Sequence, residues 1–86
     1  MFDRDRLVNL PVKEGAGAAM QVIDSLQRHR PEARVLGAAA VFVLLAERFG
    51  LAAQDVMTAT TNLMNYAEGR RPEFAAVQEY LQKELS

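Results

Sequence analysis

Cysteine is absent from this 86-residue chain. That removes disulfides, thiolate metal sites, cysteine nucleophiles and thiol redox sensing from consideration. Histidine occurs once, as His29, between two arginines at the end of a helical stretch. No HExxH motif or histidine pair is therefore present for zinc, and the helix C-terminal dipole already accounts for a histidine at such a position. Neither Ser25 nor Ser86 has the context of a catalytic triad, and Gly15-Ala16-Gly17 is not a phosphate loop, because no strand precedes it. The expectation is a protein that is not an enzyme and carries no metal or cofactor.

Charge of one sign is also lacking. Ten basic and eleven acidic residues leave a formal net charge of -1. A domain built on phosphate contacts normally shows a basic excess or stripe, since neutralising phosphates supplies most non-specific nucleic-acid affinity. The first residues, MFDRDRLVNL, include two acids and no long apolar run. A signal peptide is not read there, and the expected location is cytoplasmic. The longest apolar run, Val35 to Ala46, falls well short of the ~20 residues of a membrane span and is flanked by Arg34, Glu47 and Arg48. Arginine outnumbers lysine eight to two and alanine is abundant, a GC-rich codon signature that suggests a bacterial or phage source.

Half of the residues are hydrophobic and no low-complexity segment interrupts them, so the chain reads as a single globular domain over residues 1–86. The predicted fold class is all-α, a compact bundle of four helices at about 18–29, 31–49, 53–68 and 72–85, with a partly extended N-terminal arm over 1–16. The organising element is the helix at 31–49. Because VLGAAAVFVLLA has no polar side chain, this helix is apolar on every face and is expected at the centre of the core. Pro31 and Glu32 suit its first turn, and Gly50 is its C′ stop. Ala33, Gly37 and Val41 form a narrow ridge, and Gly37, costing about 1 kcal/mol in a helix interior, reads as a packing contact.

Before it, Gly15-Ala16-Gly17 reads as a flexible break. Met20, Ile23 and Leu26 then follow helical spacing, with Asp24 and Arg28 as an i,i+4 pair. After it, Val56, Ala59, Thr60, Leu63 and Ala67 form one stripe, and Phe74, Val77, Leu81 and Leu85 another.

The functional expectation is protein association. In so short a chain, two or three amphipathic helices and an arm must enclose an all-apolar helix, and any shortfall leaves an interface. Homodimerisation is the simplest completion. Phe2, Leu7, Leu10, Met57 and Met64 are the candidate dimer or arm contacts. Arg28, Arg30, Arg34, Arg70 and Arg71 are the candidate contacts to another protein. The expected function is thus a small accessory or regulatory protein. The alternative is a helix-turn-helix DNA-binding regulator over 42–62, where Ala46, Gly50, Leu51, Val56 and Ala59 match the usual small, turn and apolar positions. Its recognition helix would offer Gln54, Asp55, Thr58, Thr61 and Asn62 but no cation.

Overall fold

A computed structural model describes residues 4–85. The fold is all-α, with five helices and one small hairpin among the described residues: α1 (Arg4–Val8), α2 (Val12–Leu26), α3 (Pro31–Arg48), α4 (Ala53–Met64), β1 (Asn65–Tyr66), β2 (Gly69–Arg70) and α5 (Pro72–Glu84).

The arm expected to be partly extended over 1–16 is mostly helical where it is described, from residue 4: α1 covers Arg4–Val8 and α2 begins at Val12, with residues 1–3 outside the described residues. Pro11, with φ -59° and ψ 136°, caps α2, and its carbonyl accepts from the Gly15 N–H at 3.1 Å. From Val12 the apolar spacing runs unbroken through Ala16, Ala19 and Ile23, so the two glycines lie inside the helix and the break at 15–17 does not exist. Tertiary packing outweighs the intrinsic cost of glycine here. A Cβ at position 15 would stand 2.8 Å from Leu63 Cδ2, so Gly15 lets α2 approach α4 closely.

The C-terminal end of α2 also differs from the expected 29. The helix stops at Leu26, and Arg34 of α3 donates to the carbonyls of Leu26 (3.2 Å), Gln27 (3.3 Å) and Leu85 (3.1 Å). One guanidinium thus satisfies orphan carbonyls at the ends of α2 and α5. No Asp24–Arg28 ion pair forms among the described residues; Asp24 accepts a hydrogen bond from the Tyr80 hydroxyl instead.

The helix expected over 53–68 ends at Met64. Asn65 turns extended, with φ -130° and ψ 156°, and an antiparallel pairing of Asn65 with Arg70 and Tyr66 with Gly69 follows. Gly69, at φ 130°, takes a conformation open to glycine. The Met64 carbonyl receives the Arg71 N–H at 2.8 Å. Ala67, expected in the buried stripe, lies in the exposed turn.

The core forms between α2 and α5, where Ala16, Ile23, Phe74 and Val77 are buried together. Val12, Ala19, Met20, Leu63, Met64, Tyr80 and Leu85 pack around them. Burying side chains the size of Ile23, Phe74 and Val77 contributes roughly 1.5–3 kcal/mol each.

The helix expected at the centre is therefore not central. Only Ala46 of α3 is buried. Val35, Leu36, Val41, Leu44 and Leu45 expose between 52% and 69% of their surface. The physical reason is supply: α2 and α5 cover each other, α1 and α4 are short, and too little chain remains to wrap an eighteen-residue helix.

Candidate functional site

Helix α3 starts where Arg30 takes an extended conformation and Pro31 occupies the first turn. The Arg30 guanidinium grips Glu32 at 2.6 Å. The Glu32 carboxyl is held below the usual carboxylate range by the backbone N–H at this helix start and then by Arg30. The helix ends in a Schellman closure: the Leu51 N–H donates to the Ala46 carbonyl (2.8 Å) and the Gly50 N–H to that of Glu47 (3.2 Å), with Gly50 left-handed at φ 67°. The C-terminal end of this eighteen-residue platform is thus closed by backbone hydrogen bonds, whereas the N-cap Arg30 makes no side-chain cap hydrogen bond.

One side of this platform meets the rest of the chain. Ala38 and Val35 border an apolar groove of about 370 Å³ with Leu26, Leu81 and Leu85. Phe42, Ala46 and Phe49 border another of about 210 Å³ with Leu7, Leu51 and Val56.

The opposite side has no cover. At 100° per residue, Ala33, Leu36, Gly37, Val43, Leu44 and Glu47 all lie within about 60° of Ala40, and every one of them is exposed. Leu36, Val43 and Leu44 give this surface its large apolar side chains, with exposures of 69%, 44% and 62%, and Val41 stands at its edge, about 100° from Ala40.

Bulk dimensions agree. The accessible surface is 6501 Å², against about 5,000 Å² for a folded monomer of this mass. The radius of gyration is 13.4 Å, where about 12 Å is typical of this length.

The residues expected to bind partners have varied surroundings. Phe2 lies outside the described residues. Leu7 is partly buried and lines hollows on both sides of α1, and Leu10 is exposed beside Gly15. Met57 is half-exposed on α4, whereas Met64 packs on the α2–α5 core. Arg28 is exposed, and Arg70 borders a groove with Met64, Phe74 and Leu81. Arg30 is spent on Glu32 and Arg34 on helix-end carbonyls.

Arg71 is the N-cap of α5. It reaches the Asn62 carbonyl at 3.4 Å, lies 5.9 Å over the Tyr66 ring and keeps its Nε buried. The arginines are thus not gathered into one surface by a common element; three of the five are engaged within the chain.

Leu36, Gly37, Ala40, Val43 and Leu44 were missed as surface because an apolar run reads as core. The shortfall of cover expected around an all-apolar helix in so short a chain falls on these residues, which spacing alone does not single out.

Among the described residues, no group of three or more His, Cys, Asp or Glu is placed to hold a metal ion. No single described helix is long and apolar enough to cross a membrane. Comparison with protein-family models, curated proteins and solved structures finds no match to this chain.

Proposed function

We propose that this protein is a non-enzymatic association module that forms a homodimer through the open face of α3. It would act as a small accessory or regulatory factor in the cytoplasm of a bacterium or of a phage-infected cell. The observation that carries this reading is the uncovered apolar side of α3, where Leu36, Val43 and Leu44 are exposed. A twofold pairing covers both patches at once and closes the assembly.

Sedimentation at tens of micromolar is the test. The wild-type chain is expected at twice 9.5 kDa. Leu36→Asp with Leu44→Asp is expected to sediment as a monomer with unchanged helical circular dichroism, since both side chains are exposed in the protomer. A wild-type chain that stays at 9.5 kDa ends the reading.

A second reading has one specific observation behind it. Helices α3 and α4 meet at 115° across a four-residue turn that contains Gly50, within the range of DNA-reading helix pairs. Against it, α4 has Asp55 in its first turn and no lysine or arginine along its length. Titration with random duplex at low salt separates the two, because a DNA reader shows salt-sensitive affinity first. The dimer reading expects none.

A further inference from the structure

We propose that the hollow between α1 and α4 binds an aliphatic monocarboxylate, with its carboxylate on Arg71 and its chain along the leucines. The hollow has a volume of about 270 Å³, close to the ~300 Å³ at which small-molecule sites begin. Leu7 and Leu10 border it on one side, Ala59 and Leu63 of α4 on the other, and Asn62 and Arg71 are its polar members. Apolar walls with a few convergent polar groups suit a ligand that has a charged head and a hydrocarbon tail.

Arg71 sets this hollow apart. The guanidinium of Arg30 is paired with Glu32, and that of Arg34 with carbonyls at the ends of α2 and α5. Arg71 has no carboxylate partner among the described residues, and its buried Nε–H has no acceptor there. Its Nη2 reaches the Asn62 carbonyl at 3.4 Å, longer than an ordinary N–H···O hydrogen bond. A buried donor left unpaired is costly, so the group calls for a partner.

The Nε–H and the neighbouring Nη2–H form one edge of the planar guanidinium, an edge that takes both oxygens of a carboxylate in two parallel hydrogen bonds. Nη2 is directed at Asn62, itself a lining residue of the hollow. A carboxylate seated there takes over the long Asn62 contact and satisfies Nε–H in the same step.

Charge and shape choose the ligand class. Arg71 is the sole charged group among the described residues that line the hollow, so it balances a monoanion. A phosphate dianion would need further donors that the leucine walls do not offer. Arg71 is also the N-cap of α5, where the helix dipole favours a negative group. None of these residues belongs to α3, so the proposal stands whether or not the chain dimerises.

Titration with octanoate, followed through amide, methyl and arginine side-chain NMR signals, is the test. The largest shifts are expected at Leu7, Leu10, Ala59, Leu63 and the Arg71 Nε–H. Octan-1-ol, with the same chain and no charge, is expected to bind roughly tenfold more weakly, and inorganic phosphate to leave these signals unmoved. Arg71→Gln is expected to lose about tenfold in octanoate affinity. Should that variant unfold, because Arg71 also caps α5 and lies over Tyr66, Ala59→Leu decides. It keeps Arg71, fills the hollow and is expected to abolish binding with helicity retained. No shift at millimolar octanoate, shifts confined to α3, or equal affinity for octan-1-ol overturns the proposal. So does undiminished octanoate binding by a folded Arg71→Gln or Ala59→Leu chain.

Discussion

Tyr80 and Asp24 show how one contact joins elements distant in sequence. The Tyr80 hydroxyl donates to the Asp24 carboxylate, tying α5 to α2 beside the buried Ile23 and Val77. This hydrogen bond, partial burial and the negative charges of Asp24 and Glu84 push the Tyr80 hydroxyl from the ordinary 10.0 up to about 12. The folded-state value is raised, so the contact stabilises fully below pH 10 and is lost as pH rises toward 12. In Tyr66→Phe, which leaves Tyr80 as the sole tyrosine, absorbance titration is expected to show a midpoint near 12. Thermal stability of the wild-type chain should fall between pH 10 and 12, and the fall should be shallower in Tyr80→Phe. A Tyr80 midpoint at 10 would remove the contact's role.

At the scale of the element, α2 illustrates how packing overrides propensity. Gly17 and Gly15 stand two residues apart in one helix, yet a Cβ meets nothing at 17 and meets Leu63 at 2.8 Å at 15. Gly17→Ala is expected to stabilise the fold by about 0.5–1 kcal/mol, the helix-propensity gain with no steric cost. Gly15→Ala carries the same gain but pushes Leu63 out of its place between α2 and α4, so it should be less stable than Gly17→Ala by about 1 kcal/mol or more. Urea unfolding of the pair measures the difference directly. Equal midpoints would show that α2 and α4 have room to separate.

For the whole molecule, the relevant fact is an imbalance between apolar helix and available cover. The protomer measures 35 × 31 × 18 Å, a flattened body with α2 and α5 forming its core and α3 uncovered on one side. If two copies complete each other, stability depends on protomer concentration by mass action. Tm is expected to rise by several degrees between about 1 and 100 µM, on the order of 4–8 °C per kcal/mol for a domain of this size. Leu36→Asp with Leu44→Asp should show a Tm independent of concentration. A flat wild-type profile would mean that α3 contributes no linked association.

Much of the secondary structure was legible in local chemistry. Pro31 and Pro72 open α3 and α5, Gly50 closes α3 in the left-handed conformation, and Phe74 and Val77 are buried at the spacing that singled them out. These features depend on residues within a turn or two of one another, so spacing reveals them. The helical N-terminal segment and the hairpin after Met64 were not legible, because each depends on a distant partner: Leu63 beside Gly15, and the Met64 carbonyl bound by the Arg71 N–H.

The largest reversal concerns α3. Its composition establishes an apolar helix, and does so without reference to any other element. How much of it is covered is a property of the whole chain, set by which stripes pack on one another. Burial is a finite resource in 86 residues. With Ile23, Phe74 and Val77 enclosing one another, α3 has cover on the side of Phe42 and Ala46, and its Ala40 face is exposed.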